Sequence, residues 1–177
     1  MEKAFYQKCI QEEVIKPFGH KTFFERFWSK YVRPESNSVY LLRTIQYVGQ
    51  KGDALSRFRY KCLQVKAMRR YGMAIPAGIQ IGLGLRIVHP HGIHLVNCTI
   101  GENFTVFQNC TIGAKHFGET EIEKNAVIGN NVTMYANSMI FGRVHVADNV
   151  QIAANACLVK DALEPGLWAG TPATRIK

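Results

Sequence analysis

The chain lacks several features that would place it in a specialised class of protein. Its 177 residues contain no apolar run near the roughly 20 residues that a membrane-spanning helix needs. The N-terminal segment is charged where a signal peptide would be apolar, so we expect a cytoplasmic protein. The cysteines are few, odd in number and without a CxxC pair, which argues against a disulfide framework or a zinc knuckle and favours reduced, mostly buried thiols. They are Cys9, Cys62, Cys98, Cys110 and Cys157.

The C-terminal part of the chain also lacks an excess of charge of either sign. Residues 73–177 contain 7 Lys and Arg and 7 Asp and Glu, whereas residues 1–72 contain 15 and 6. No nucleic-acid recognition motif accompanies the basic residues, so nucleic acid is the less favoured partner. Either the charges form a solvated helix face, or they attract an anionic partner such as a membrane surface, a lipid-phosphate-linked precursor or an acidic glycan. They are densest at Arg57, Arg59, Lys61, Lys66, Arg69 and Arg70.

Residues 1–71 carry the apolar spacing of three and four residues that is typical of α-helices. Pro17, Gly19, Pro34 and the Ser-Asn-Ser stretch at 36–38 predict breaks that divide this part into about three helices. We expect its aromatic residues to lie in the core or in a contact between subunits rather than around a cofactor. They are Phe23, Phe24, Phe27, Trp28 and Tyr31.

From Ile75 onward the apolar period changes to six. Most units carry a second small or apolar residue four positions after the first, and Gly, Asn and Asp fill the positions between. A period of six with turn residues in every unit indicates short strands separated by tight corners and stacked as a solenoid. The leading positions are Ile75, Ile81, Ile87, Ile93, Ile100, Val106, Ile112, Ile122, Ile128, Met134, Ile140, Val146, Ile152 and Leu158.

These repeats resemble the left-handed β-helix of the hexapeptide-repeat transferases. Residues 72–177 are similar throughout to the catalytic domain of serine acetyltransferases, and above all to the short enzymes of that type that modify capsule and other surface sugars. The resemblance implies a mainly β fold with a small helical region before it. We divide the chain into a basic helical region (1–72), a left-handed β-helix (73–163) and a closing segment (164–177). The left hand is implied by the resemblance alone, since crossover rules favour the right hand.

His89 is the predicted general base of an acetyl-CoA-dependent O-acetyltransferase. A histidine titrates near neutral pH and can take the proton of an acceptor hydroxyl as it attacks a thioester. The segment IVHPHGI places His89 where serine acetyltransferases carry their catalytic histidine, with Gly92 and Ile93 at the same distance. His91 and His94 are nearby candidates for contact with the acceptor substrate.

Two departures from the family pattern bear on the substrate. The family carries a carboxylate that orients the base where this chain has Ala74, and an Asp that contacts the amino acid where it has Val88. The resemblance therefore leads us to expect a sugar hydroxyl, in a surface polysaccharide or its precursor, as the acceptor. Serine O-acetylation for cysteine biosynthesis is the alternative.

The segment AKHFGETE interrupts the repeats, and a loop that leaves a regular scaffold often carries a binding function. Lys115, His116 and Glu119 are its candidates for contact with the acceptor or the coenzyme, although a plain surface loop is an alternative interpretation.

For coenzyme A the resemblance implies backbone groups of Ala136 and Ala154, one coil apart, with Gly170 in the closing turn. Lys160 and Arg175 are weaker candidates for its phosphates.

Two further functions stay open from the residues alone. A γ-type carbonic anhydrase has the same fold and binds zinc through histidines, two of them spaced as His89 and His94 are, with His116 following. The order of the histidines and the ending of the chain fit that class poorly, so we expect no metal. A non-catalytic scaffold is the other alternative.

The resemblance implies a homotrimer, which the N-terminal helices can pair into a dimer of trimers.

Overall fold

A computed structural model describes residues 1–18, 22–96, 98–114 and 126–177. Its helices all precede residue 72, and its strands all follow residue 79. The α-helices are α1 (Lys3–Cys9), α2 (Phe23–Tyr31), α3 (Pro34–Gly49) and α4 (Ala54–Tyr71), and a π-helical turn (Ile10–Ile15) and a 3₁₀ turn (Lys16–Phe18) follow α1.

The ends of α2 and α4 follow from capping side chains. The Thr22 hydroxyl accepts a hydrogen bond from the Glu25 amide while the Glu25 carboxylate accepts one from the Thr22 amide, so that α2 begins in a capping box. The Asp53 carboxylate accepts from the Ser56 amide at 2.8 Å and starts α4. Gly72 ends α4 in the left-handed region (φ 59°), which a glycine adopts without a steric penalty, and this turns the chain toward the strands.

The break predicted at 36–38 is wrong, because these residues lie inside α3. Their polar side chains are buried and satisfied by neighbouring carbonyl groups instead of ending the helix. The Ser36 hydroxyl donates to the Ser29 carbonyl at 2.7 Å, and the Asn37 amide donates to the Lys30 carbonyl. The stretch therefore joins α3 to the end of α2, a contact that no local pattern indicates.

Short strands occupy most of the described chain after residue 79. They are β1 (Gln80–Ile81), β2 (Arg86–Ile87), β3 (His94–Leu95), β4 (Cys98–Ile100), β5 (Thr105–Val106), β6 (Thr111–Gly113), β7 (Ala126–Ile128), β8 (Thr133–Met134), β9 (Met139–Phe141), β10 (His145–Val146), β11 (Val150–Ile152), β12 (Cys157–Leu158), β13 (Gly166–Gly170) and β14 (Ala173–Arg175).

The strands form three sheets, and up to β12 each sheet takes every third strand. The orders are β1-β4-β7-β10, β2-β5-β8-β11-β13-β14 and β3-β6-β9-β12. In the described chain the paired strands of these sheets run parallel, except for β13 and β14, which are antiparallel. A chain that visits three sheets in strict rotation winds as a three-sided coil of parallel strands. The hand of the winding and the three domain boundaries stay predictions.

The interior of the coil confirms the period of six. Each leading residue of a unit that lies in the described chain is buried, and so are the second residues that follow four positions later. Those second residues are Leu85, Phe104, Cys110, Ala126, Val132, Val144, Val150 and Ala156. The repeat therefore predicted side-chain burial position by position.

The register of the first coil differs from the prediction at one strand. Leu95, not Ile93, pairs with Ile112 of the next coil, although both Ile93 and Leu95 are buried. Relative to the period of six, the chain therefore gains two residues between Ile87 and Leu95 and loses one between Leu95 and Ile100. No helix among the described residues is long and apolar enough to cross a membrane.

Candidate active site

His89 lies in a corner of the coil that is longer than its counterpart in the next coil. Ile87 pairs with Val106 and Leu95 pairs with Ile112, so eight residues separate the first pair of positions and six the second. The Val88 amide still donates to the Val106 carbonyl at 2.8 Å. The two extra residues therefore leave the scaffold immediately after Val88 and carry His89 outward.

The backbone of His89 has a conformation that otherwise belongs to asparagine in this protein. Its φ is 56°, in the left-handed region that a side chain larger than that of glycine disfavours. The other described non-glycine residues with positive φ are all asparagines at coil corners, namely Asn103, Asn109, Asn131, Asn137, Asn149 and Asn155. Holding a histidine in this backbone conformation costs on the order of 1–3 kcal/mol of folding free energy. Residues in such unfavourable conformations concentrate at functional sites. The geometry thus singles out His89 independently of its sequence motif.

The His89 side chain is exposed, and within the described ranges it has no hydrogen-bond or ion-pair partner. His91, two residues later, is also exposed, and its amide donates to the His89 carbonyl at 2.7 Å. The His91 ring meets the edge of the Tyr71 ring at the end of α4, with 6.0 Å between centroids. The corner is therefore supported from the helical region while the His89 imidazole stays accessible.

His94 is half-buried on β3, and its backbone pairs with Ala74 in an isolated bridge. The position where the resemblance leads us to look for an orienting carboxylate is therefore a neighbour of His94. His116 and Glu119 of the predicted binding loop lie outside the described residues.

A cavity of about 380 Å³ lies between the helical region and the strand that leads to His89. One wall is the segment 84–88, which ends next to His89, and the other comes from the first helical turns and α3. The helical wall carries carboxylates from Glu12, Glu13 and Glu35. The remaining residues of that wall are Pro17, Ser36 and Val39. The cavity thus supplies acidic groups close to Val88, although the strand itself has none.

The first coil is tied to the helices by a buried ion pair between Glu13 and Arg43. The Arg43 guanidinium donates to both Glu13 oxygens, at 2.8 Å from Nε and 2.6 Å from Nη2. It also donates to the carbonyls of Ile81 (2.9 Å) and Gly82 (2.6 Å). Both side chains are almost completely buried, so the charges are stabilised by each other and by these hydrogen bonds.

The Glu13 carboxylate also holds the strand that leads to His89. Its Oε1 accepts hydrogen bonds from the amides of Gly84 (2.9 Å) and Leu85 (3.1 Å). Segment 81–85 is therefore fixed through both its carbonyl and its amide groups, by residues that are distant in sequence. Our reading of the sequence missed this pair. The available signal was a charge inside each of two apolar helical patterns, IQEEVI and LLRTI.

The two alanines predicted to contact coenzyme A lie on successive coils. The Asn155 amide donates to the Ala136 carbonyl at 3.0 Å, which places Ala136 and Ala154 in neighbouring corners. Ala136 is half-buried and Ala154 is exposed, so small side chains stand on an accessible edge. The predicted stacking is confirmed, and a role in binding the coenzyme stays a prediction.

The three remaining cofactor candidates lie at the C-terminal end of the coil. Lys160 is exposed after β12, and Gly170 (φ 96°) ends β13 where the chain turns back into β14. Arg175 is already engaged, since its guanidinium pairs with Glu164 at 3.0 Å and donates to the Pro165 carbonyl at 2.9 Å. A phosphate at Arg175 would compete with both contacts.

The described residues contain no group of three or more histidine, cysteine or acidic side chains placed to hold a metal ion. His116, the third histidine of the carbonic anhydrase alternative, lies outside them. The expectation of a protein without metal stays a prediction.

Comparison with known proteins agrees with this geometry. No family model matches the chain. It is 33% identical over 107 residues to the serine acetyltransferase of Staphylococcus epidermidis, a match that covers 60% of this chain and 49% of the relative. The chain thus spans about half the length of the curated relatives it matches.

Solved structures extend the match to the helical region. A serine acetyltransferase of Neisseria gonorrhoeae in complex with serine has a TM-score of 0.81 at 19% identity, covering 99% of this chain and 70% of the other. A serine acetyltransferase in complex with CoA has a TM-score of 0.67 at 19% identity, covering 78% and 56%. At these identities the structures bear on the fold alone. Together, the sequence match and the common fold confirm the resemblance of this chain to the serine acetyltransferase-like, hexapeptide-repeat acyltransferases.

Proposed function

We propose that the protein is an acetyl-CoA-dependent O-acetyltransferase with His89 as its general base. The observation that carries the proposal is the corner of His89, which is two residues longer than its counterpart and holds an accessible imidazole in a left-handed backbone conformation. The counterpart of the corner residue Asn109 in this coil is Gly92, so His89 is one of the two residues added at the corner, and its left-handed backbone calls for a reason other than the scaffold.

In the proposed reaction the His89 imidazole takes the proton of an acceptor hydroxyl while its oxygen attacks the thioester carbonyl of acetyl-CoA. The tetrahedral intermediate collapses to the acetyl ester, and the sulfur of coenzyme A leaves and takes up a proton. The exposed edge at Ala136 and Ala154 is the proposed track for the coenzyme, because small side chains allow an extended ligand to approach the backbone. A serine acetyltransferase structure that holds CoA supports acetyl-CoA as the co-substrate.

For the acceptor, the comparisons favour serine over a sugar, because the relatives and structures named above are serine acetyltransferases. The cavity beside Val88 agrees with this choice. Glu35 on its wall is the carboxylate suited to an ammonium group, because Glu12 pairs with Lys16 and Glu13 with Arg43. Arg86 lines the same cavity and can pair with the carboxylate of an amino acid. We therefore propose L-serine or a similar hydroxylated amine as the acceptor. The sugar of a surface polysaccharide, our first expectation, now rests on Ala74 and Val88 alone.

The proposal is tested by measuring how fast the coenzyme A thiol is released when the protein is given acetyl-CoA and each of a series of acceptors. We expect turnover with L-serine and little with free hexoses or N-acetylhexosamines. The reverse preference would restore the polysaccharide acceptor, and an absence of turnover with every hydroxyl compound would contradict acetyl transfer itself.

The remaining parts of the proposal follow from the same resemblance. We propose left-handed winding of the coil and a homotrimer in which the coenzyme lies in a groove between two subunits. The mass of the purified particle in light scattering tests the trimer directly.

A further inference from the structure

Helix α4 has two opposite faces with different surroundings. Ser56, Ala67 and Tyr71 are buried, and Tyr60 and Leu63 pack partly against the same core. These residues recur at three and four positions and so define one side of the helix. That side faces the protein.

The other side of α4 carries an apolar stripe that the described protein leaves uncovered. Leu55, Phe58, Cys62 and Val65 follow each other at three and four positions, directly opposite the buried side. Leu55 and Phe58 are each 66% exposed and Val65 is 51% exposed. Exposed apolar residues in such a row indicate a contact that the isolated chain does not make.

Basic residues border this stripe on both sides. Helix α4 contains six Lys and Arg and no Asp or Glu. On a helical projection Arg59, Lys66 and Arg70 fall on one flank, Arg57 and Lys61 on the other, and Arg69 falls within the stripe. We call the stripe and its basic border the outer face of α4.

The aromatic helix α2 extends the same region. Its Phe23, Phe24 and Trp28 are exposed, so they do not lie in the core, and the subunit contact that we gave as the other expectation stays a prediction. The pKa of Tyr31 in α2 is raised, first by its hydrogen bond with Tyr40 and then by burial, while the charge of Lys66 in α4 acts against the shift. Helices α2 and α4 both pack on α3, and Tyr31 lies within reach of the charge of Lys66 at the border of the stripe.

We propose that the outer face of α4 binds the surface of an anionic phospholipid membrane. An apolar row bordered by Lys and Arg is the pattern of helices that lie in the plane of such a membrane, with the apolar side chains among the acyl chains and the cations at the headgroups. The exposed aromatic side chains of α2 suit the same interface, where Trp and Phe are favoured. The contact is peripheral and independent of acetyl transfer.

Two other occupants fit the outer face less well. A soluble polyanion would pair with the cations but would leave Leu55, Phe58 and Val65 in water. A second copy that met the same face across a twofold axis would bring six cations against six, which like-charge repulsion opposes. A surface that is both anionic and apolar beneath its charges matches the whole face.

Flotation of the full chain with lipid vesicles tests the proposal. We expect binding to phosphatidylcholine vesicles that contain roughly a third phosphatidylglycerol, weaker binding in high salt, and none to pure phosphatidylcholine. Lys61→Gln and Lys66→Gln should each weaken binding roughly fivefold. Arg143→Gln, which removes an exposed charge from the coil, should leave binding unchanged.

The double variant Phe58→Ser, Val65→Ser separates the three occupants. Both residues are exposed, so its thermal unfolding should match that of the parent chain. We expect it to lose vesicle binding while its retention on heparin stays unchanged. Unchanged vesicle binding would overturn the proposal in favour of a polyanion, and a fall in particle mass without lipid would overturn it in favour of a second copy. Absence of binding by the parent chain to anionic vesicles would also overturn it.

Discussion

The helical region and the coil bury their side chains in different ways. In the coil every inward position belongs to a repeated unit, every neighbour is the same position one coil away, and the net charge is zero. In the helical region the contacts are unique, polar side chains and an ion pair are buried, and an apolar stripe is left exposed. His89 lies close to the junction of the two regions, on the coil but supported by Tyr71 at the end of α4.

This difference bears on where we propose the chemistry to lie. A repeat offers rigid and nearly identical corners, so we expect function to require a departure from it, such as the longer corner and the left-handed histidine among its added residues. The helices supply what the repeat cannot, namely a wall of carboxylates and a buried pair that fixes the strand before His89. Four changes test this contrast.

The largest effect is expected from His89→Asn. Asparagine suits the left-handed corner, so the free energy of unfolding should stay the same or rise slightly, while loss of the base should lower kcat/KM roughly 10²–10⁴-fold. Thiol release and thermal unfolding of the purified variant measure the two quantities. A variant that keeps its activity would show that the histidine does not act as the base.

Breaking the ion pair between Glu13 and Arg43 should lower the free energy of unfolding of the whole chain. Arg43→Met leaves the Glu13 carboxylate buried without its cation, and we expect a loss of roughly 3–5 kcal/mol in the free energy of unfolding. Denaturant titration measures it. Lys16→Met is the matched control, because Lys16 pairs with Glu12 at an exposed site and should change stability by less than about 1 kcal/mol. Equal losses from the two variants would mean that the pair does not tie the regions together.

A structural corner should respond differently from the His89 corner. Asn131 has a φ of 56° and its side chain bridges Asn103 (3.0 Å) and Asn149 (3.2 Å) in neighbouring coils. Asn131→Ala should lower the free energy of unfolding by about 1–2 kcal/mol through backbone strain, and loss of the two hydrogen bonds adds to this. Asn131→Gly loses the same hydrogen bonds but relieves the strain, so its stability should lie between that of the parent chain and that of the alanine variant. Thermal unfolding of the pair measures this, and a change in KM without a change in stability would contradict a purely structural role.

The smallest effect is expected from thiol modification. Burial raises the pKa of Cys98 in the coil to about 12, so its thiolate is scarce near pH 8 and its sulfur is inaccessible. Cys62 in α4 is exposed and should react first with an alkylating reagent, with little change in activity. Mass spectrometry of partly labelled native protein gives the order. Early labelling of Cys98 would mean that the coil opens more readily than the helices.

Most of the coil could be predicted from the sequence. A period of six identifies both the corners and the buried residues, because each unit meets the same surroundings in every coil. The prediction failed at Ile93 because two residues are inserted after Val88, and only the pairing of Leu95 with Ile112 shows which buried residue continues the register. The motif around His89 was readable, but its left-handed backbone was not, because φ is set by the path of the whole corner.

The helical region was less predictable for a physical reason. Helical spacing identifies an apolar side but not the partner of that side, so the exposed aromatic residues of α2 were expected in the core or a subunit contact. Ser36 and Asn37 were expected to break a helix that in fact buries them against α2.

By itself, the sequence determined the repeat, the buried positions of the coil, the candidate base and the concentration of charge before residue 73. The tertiary structure alone decided the longer corner, the pairing of Glu13 with Arg43, the carboxylates beside Val88 and the side of α4 that stays exposed. The physical reason is that repeated local units encode their own surroundings, whereas contacts between distant segments exist only once the chain has folded.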